Sequence, residues 1–232
     1  MSTSTYERRR SEIETYFDRT ALAAWARMTS DAPLGRIRAT VRAGREAMRA
    51  TLLSMLPDDL TGARLLDAGC GTGALALEAA RRGADVVGID ISPQLIGIAR
   101  DRATNDMAMA RIQFSAGDML DPAHGRFDYV VAMDSLIHYS APMVVAALAG
   151  LAPRVDRAIL FTFAPSTPLL ATMRAVGRQF PRGDRAPMIE PLREGALHQA
   201  IRATPNLAAF SIGRTEKITS GFYFSKALEL KR

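Results

Sequence analysis

Hydrophobic positions along the chain change period at about residue 63. Before it, residues 6–19 and 36–56 read as helices. In the second of these, Ile37, Val41, Met48, Leu52, Leu53 and Leu56 recur at near-helical spacing, with arginines between them. Asp31-Ala32-Pro33 marks a helix start between the two, and Pro57-Asp58-Asp59 closes this part. After it, short buried runs alternate with helical stretches. Residues 63–68, 85–90, 111–116, 128–133 and 157–163 read as strands. Residues 75–82, the stretch begun by Ser92-Pro93, and residues 142–151 read as helices. Such alternation predicts a parallel sheet with helices on both faces.

Two departures from this rhythm follow. Residues 164–191 carry Pro165, Pro168, Pro181, Pro187 and Pro191, with a short helical stretch near Leu169–Phe180, and read as an insertion over the sheet. After a helix over 193–203, residues 208–214 and 222–228 read as two strands joined by a polar turn, an antiparallel ending. The expected fold is therefore α/β, with a mostly parallel seven-stranded sheet and a C-terminal antiparallel hairpin. Residues 1–62 form an N-terminal helical part and residues 63–232 the sheet domain, with the insertion at 164–191.

At 232 residues the chain is one domain with additions. Its 48% hydrophobic content suffices for a core without metal or disulfide. A single cysteine, Cys70, excludes an internal disulfide and makes a reducing, cytoplasmic setting the expectation. The longest nearly apolar run, Met143–Pro153, is far short of the ~18–20 residues of a membrane span. The N-terminus has no apolar run of a secretory signal. The net charge of +6 collects in residues 164–232, where 11 Lys/Arg face 5 Asp/Glu. That excess fits a solvated basic face, an anionic substrate or membrane surface, or nucleic acid. With only 6% aromatics and no interleaved stacking platform, nucleic acid is not the expected partner.

The chemistry-bearing motif is Asp67-Ala68-Gly69-Cys70-Gly71-Thr72-Gly73, which follows a strand and opens a helix. Glycines let backbone approach a ligand, and free N–H groups at a helix start favour a negative group. A tight turn, a dinucleotide site and an S-adenosylmethionine (SAM) site all use such loops. Here the spacing is Gly-x-Gly-x-Gly with an acid two residues earlier, not the Gly-x-Gly-x-x-Gly that seats a pyrophosphate, and no P-loop is present. Asp67 can meet the amino group of SAM's methionine part. Asp90 ends the second strand 23 residues later, where a carboxylate can accept from both ribose hydroxyls. Asp118 follows the third strand and is placed for the adenine amino group, with Met119 against the ring. One such acid is usually a cap or turn residue. Three at successive strand ends point to the ligand edge of an open α/β sheet. Cys70 in the loop, Ile91 after the second strand and Met133 at the end of the fourth complete the expected cofactor contacts. Arg42 is either a solvated helix arginine or a fork for the SAM carboxylate.

This loop with Asp90 and Asp118 resembles the pattern of Rossmann-like class I SAM-dependent methyltransferases. A narrower resemblance runs over nearly the whole chain. Tyr16-Phe17-Asp18-Arg19-Thr20 with Trp25, Ile37-Arg38 through Gly44-Arg45, Met133-Asp134-Ser135-Leu136-Ile137-His138-Tyr139, Phe161-Thr162-Phe163-Ala164-Pro165 and Phe222-Tyr223-Phe224-Ser225 together are similar to the magnesium protoporphyrin IX O-methyltransferase family. The resemblance implies methylation of one porphyrin propionate in chlorophyll and bacteriochlorophyll synthesis, with SAM as methyl donor and no protein-bound metal. It implies that residues 6–56 cap the SAM site and that the insertion forms a lid over the macrocycle. Hand-over from the magnesium-inserting enzyme, magnesium chelatase, and peripheral contact with the photosynthetic membrane are further implications. One departure matters. Photosynthetic relatives often carry a Tyr shortly after the N-terminal Trp, and the equivalent place here is Met28-Thr29, so Tyr16 and Tyr139 remain as hydroxyl donors.

A propionic acid, like a Glu side chain with a pKa of ~4.3, is already ionised at neutral pH, so no strong base is required. His138 is then a packed loop residue, a hydrogen-bonding partner for the reacting propionate, or an axial ligand of the porphyrin magnesium. Arg174 and Arg178, four apart in the insertion, can share a helix face and meet the second propionate. Arg182 and Arg185 follow them, and Leu169, Leu170, Met173, Phe17 and Trp25 are packing residues or porphyrin contacts. Competing readings are a quinone-type small-molecule methyltransferase, an RNA methyltransferase suggested by the pI of about 10.0, and a non-catalytic SAM-binding regulator.

Overall fold

The buried runs pair into one seven-stranded sheet of order β3-β2-β1-β4-β5-β7-β6. The structure, a computed structural model, describes residues 3–16, 18, 34–166 and 189–232. The strands are β1 (Arg64–Ala68), β2 (Asp85–Asp90), β3 (Ile112–Ala116), β4 (Phe127–Ala132), β5 (Val155–Phe163), β6 (Ser211–Ser220) and β7 (Tyr223–Lys231). The first five run parallel, whereas β7 is antiparallel to both β5 and β6. The helices are α1 (Thr3–Thr15), α2 (Arg36–Ser54), α3 (Ala74–Arg81), α4 (Pro93–Ala103), α5 (Ala141–Leu151) and α6 (Glu194–Arg202). Ser92 caps α4 by accepting the Leu95 N–H at 3.1 Å, the role Ser-Pro signals in sequence.

The strands β1, β2, β4, β5 and β7 feed two cores because their side chains alternate. On β1, Leu66 joins a core with Val144 and Leu148 of α5 and Leu197 of α6. Its neighbour Leu65 joins a second core with Met48 and Leu52 of α2 and Ala79 of α3. Burial on both faces explains the unbroken apolar runs of β1, β2 and β4. Met48 and Leu52 are completely buried, each stabilising the fold by about 1.5–3 kcal/mol.

The hairpin differs from expectation. β6 extends to Ser220, and the connection is the two residues Gly221-Phe222, not a polar turn over 215–221. β6 is one of the sheet's two edge strands, and all its residues are exposed or half-buried. Polar Thr215, Glu216 and Lys217 are therefore compatible with a strand that has one neighbour. Its register shifts between Ile212 and Thr215. Near that shift Arg214 pairs with buried Glu229 of β7, through Nε to Oε2 at 2.9 Å and an Nη to Oε1 at 2.8 Å. The same guanidinium donates to the carbonyls of Ser54 and Met55 at the end of α2.

The ends of the proline-rich insertion meet: the Leu192 N–H donates to Ala164 and the Ser166 N–H to Leu192, both at 2.8 Å. The helical stretch near Leu169–Phe180, with Leu169, Leu170, Met173, Arg174, Arg178, Arg182 and Arg185, lies outside the described residues. So do Phe17, Trp25, Met28-Thr29 and Asp31-Ala32-Pro33. Among the described residues no helix is long and apolar enough to cross a membrane.

Candidate active site

After β1 the chain moves outward to β2 and β3, then returns to place β4 on the other side of β1. This reversal opens a crevice at the carboxyl ends of β1 and β4, where open α/β sheets bind ligands. A cavity lies there, floored by the glycine loop. The Gly69 and Cys70 N–H groups both donate to the Ile89 carbonyl, at 2.7 and 2.9 Å. The Gly71 N–H donates to Asp90 Oδ2 at 2.8 Å, and the Ser92 N–H to Asp90 Oδ1 at 3.0 Å. Gly69 has φ 84°, and a Cβ there would lie 2.3 Å from the Ser135 Cβ. Only glycine lets the loop pass under the turn after β4.

Two polar atoms on this floor, Asp67 Oδ2 and Ser135 Oγ, are buried and make no hydrogen bond. Both residues line the cavity. Burial pushes the Asp67 carboxyl up to about 7 against the pull of the Ala76 N–H, and nearby Asp90 adds to the rise. Burial likewise lifts Asp90 to about 6, although the N–H groups of Ser92 and Gly71 oppose it. A buried acceptor without a donor is costly. The floor thus suits a ligand carrying an ammonium. Asp90, with lone pairs beyond its two backbone bonds, suits a hydroxyl-bearing ligand. Ile91, Met119 and Met133 supply apolar wall, and His138 and Tyr139 border the cavity from the turn after β4. Burial pushes the Tyr139 phenol up to about 12, with Asp118 adding to the effect.

Asp118 is placed differently from its expected role. It is not among the cavity-lining residues. Its Oδ1 accepts from the Tyr6 hydroxyl at 3.1 Å and its Oδ2 from an Arg10 Nη at 2.8 Å. The carboxylate that spacing assigns to adenine therefore holds α1. Tyr6 also stacks on Tyr139, with centroids 5.7 Å apart and planes at 22°. Arg9 Nε donates to the His138 carbonyl at 3.0 Å, and Ser92 Oγ hydrogen-bonds the Asp18 carboxylate. The N-terminal segment is thus tied to the tips of β2, β3 and β4, and Ile13 of α1 reaches the cavity wall. Tyr16 is half-buried and does not line the cavity, and its phenol is raised by burial. Gly73 opens α3 behind the loop, outside the lining. Trp25, Arg174 and Arg178 fall outside the described residues.

Arg42, Arg45, Glu46 and Arg49 of α2 form one wall of the cavity. Their spacing of i, i+3, i+4 and i+7 puts them on one helix face. That spacing is legible in the sequence and extends the expectation for Arg42 to its three neighbours on the same face. Asp134 and Ser135 also line the cavity. They sit inside the quoted Met133–Tyr139 motif, although nothing local in the sequence indicates their work. Asp134 accepts from an Arg45 Nη at 2.6 Å.

A switch-point cavity on this sheet, with a glycine loop and carboxylates at the tips of β1 and β2, defines a class I SAM-dependent methyltransferase. Residues 65–156 match the family described as a methyltransferase domain, and residues 132–232 match the magnesium-protoporphyrin IX methyltransferase C-terminus. The chain is 48% identical over 229 residues to the magnesium-protoporphyrin O-methyltransferase of Rhodobacter capsulatus, covering 98% of this chain and 99% of that one. The chain belongs to the magnesium-protoporphyrin O-methyltransferase family. The crystal structure of magnesium protoporphyrin IX methyltransferase from Synechocystis PCC 6803 with bound S-adenosylhomocysteine (SAH) superimposes with a TM-score of 0.80 at 30% identity, covering 96% of this chain and 99% of that one. By contrast, the ubiquinone biosynthesis O-methyltransferase of Xanthomonas oryzae, at 36% identity, aligns with only 54% of this chain.

Proposed function

We propose that this protein transfers a methyl group from SAM to one propionate carboxylate of magnesium protoporphyrin IX, giving the monomethyl ester for chlorophyll or bacteriochlorophyll synthesis. The observation that carries the acceptor is similarity across the whole chain to a magnesium-protoporphyrin enzyme, against half-chain similarity to a quinone enzyme. SAM, when bound, supplies an electrophilic methyl on its sulfonium: a propionate oxygen forms the new C–O bond, the C–S bond breaks, and SAH leaves with the electron pair.

The residues present fit that task. Asp67 Oδ2 and Ser135 Oγ, partnerless and buried, receive the ammonium of the methionine part. Arg42 pairs with its carboxylate. Asp90 accepts from the ribose hydroxyls, and Ile91, Met119 and Met133 pack on the adenine. The acceptor carboxylate arrives ionised, so no residue need remove a proton. His138, buried beside Tyr139 at the cavity, hydrogen-bonds that carboxylate and orients it. An anion and a sulfonium neutralise each other along the path, which a water-excluding pocket favours. The chain's contribution is chiefly placement. Arg174, Arg178 and Trp25 are assigned to the porphyrin. We further infer peripheral contact with the photosynthetic membrane and hand-over from magnesium chelatase, motivated by the apolar macrocycle and the basic C-terminal third.

Incubation of the purified protein with labelled SAM and magnesium protoporphyrin IX should yield labelled monomethyl ester, and His138→Ala should lower turnover about 100-fold. Label appearing in a quinone precursor or a tRNA but not in the porphyrin would replace this acceptor. Unchanged turnover and porphyrin affinity in His138→Ala would remove His138 from the reaction.

A further inference from the structure

Asp134, two residues past the end of β4 and itself in the cavity wall, is the one non-glycine residue with positive φ among the described residues, at 52°. A side chain in that region persists only where its surroundings over-determine it. Here they do. The Asp134 carboxylate, 2% exposed, accepts from an Arg45 Nη at 2.6 Å. It also accepts from the Tyr223 hydroxyl at 3.1 Å to each oxygen, from Thr162 Oγ1 at 3.1 Å and from Ser225 Oγ at 3.3 Å. Thr162 Oγ1 in turn accepts the Asp134 N–H at 2.7 Å. One residue thus gathers α2, β5 and β7 around the turn that presents Ser135 and His138.

The close approach of α2 is built in. A Cβ on Gly44, next to Arg45, would lie 2.5 Å from the Tyr223 ring, so the helix can rest on β7 only with glycine there. Tyr223 itself is buried, and the Asp134 charge helps keep its phenol protonated as a donor. Asp134, Thr162, Tyr223 and Ser225 all fall in the segment matching the porphyrin-methyltransferase C-terminus.

We propose that Arg45, Asp134 and Tyr223 form a positioning unit that fixes the strained turn carrying Ser135 and His138, so that the C-terminal hairpin sets the geometry of methyl transfer from behind the site. This rests on the proposed function for its kinetic readout, but not for its structural one. None of the three need touch the acceptor. Their effect passes through the turn.

Asp134→Asn and Tyr223→Phe test this. Asn tolerates the same backbone region and keeps the shape, but removes the charge that holds Arg45. Each variant should lower kcat by tenfold to about 100-fold, with porphyrin KM within about twofold of the parent and SAM affinity, which Ser135 on the same turn supports, falling by less than the rate. Arg45→Lys, which restores a cation without the fork, should keep more of the rate than Arg45→Met. The His138 ring resonances, read by NMR with SAH bound and no acceptor, should shift in both Asp134→Asn and Tyr223→Phe. Folded variants with parental kcat and an unmoved His138 signal would overturn the proposal, as would a rate loss matched by an equal loss of SAM affinity. Should Asp134→Asn fail to fold, Tyr223→Phe, which deletes a single hydroxyl, carries the test. A parent protein that methylates no porphyrin would refute the acceptor instead, and the His138 signal would still decide the positioning role.

Discussion

Asp67 shows how a single residue reports its task through an imperfection. One carboxylate oxygen is buried without a donor, and burial holds the group near neutrality, at about 7. An ammonium placed against it favours the ionised form. Below pH 7 the empty site keeps a proton on Asp67 that SAM must displace. SAM affinity should therefore fall by about tenfold per pH unit below 7, and binding should release a proton there. Calorimetry in buffers of different ionisation enthalpy measures both. Asp67→Asn should weaken SAM binding roughly 10- to 100-fold at pH 8 and flatten the pH dependence. A Kd that stays constant in the parent protein from pH 5.5 to 8 would sink this role. Asp67 and Asp90 were legible in sequence because strand ends can be read locally and their spacing is short. Asp134 was not, because Arg45 and Tyr223 each lie 89 positions away and only the folded sheet brings the three together. Asp118 was half legible: its place at the tip of β3 followed from the pattern, but its capture by Tyr6 and Arg10 depended on how α1 docks.

At the scale of elements, strands with at least one buried face announced themselves, the edge strand β3 included, and the edge strand β6, which buries none of its residues, did not. β2 has the expected bounds because all but its first residue are buried. β6 outran its expected end because none of its residues is buried, so no apolar alternation marks its length. Beside Ile212 and Ile218, which pack against the cores, a polar clamp ties β6 into the molecule: Arg214 grips Glu229 on β7 and reaches the last carbonyls of α2. Glu229 is buried, and its pKa is lowered by Arg214. Arg214→Ala leaves that carboxylate buried and unpaired. Because the guanidinium is half exposed, the expected loss is only about 1–2 kcal/mol in urea unfolding at pH 7. A carboxylate with a lowered folded pKa contributes its stability above the ordinary value of 4.5 and loses it as pH falls. The gap between parent and variant should therefore shrink below about pH 4.5. A gap that persists undiminished at pH 3 would assign the loss to packing, not charge.

The whole molecule places two buried carboxylates at the strand tips that line its cavity. Asp67 and Asp90 sit at adjacent strand tips, both buried and both raised above the ordinary value of 3.8, to about 7 and about 6. A carboxylate whose folded pKa is raised destabilises the fold once ionised. The cost is absent below the unfolded value, grows as pH rises from about 4, and is complete above about 7. Without SAM, the protein should therefore tolerate Asp67→Asn increasingly well across that window. The variant should gain on the parent by on the order of 2–4 kcal/mol in urea unfolding between pH 4 and pH 7, with no further change above. Saturating SAM should reverse the order at pH 7, because the ligand's ammonium stabilises the parent's ionised carboxylate and linkage adds its binding energy to the fold. Other groups titrate in the same range, so the informative quantity is the difference between the two proteins, not either curve alone. A difference that is independent of pH, or that SAM leaves unchanged, would show that these carboxylates are not held ready for a cation. A pH-dependent difference that SAM inverts would mean that the fold gives up stability at its switch point to keep a cationic methyl donor in place.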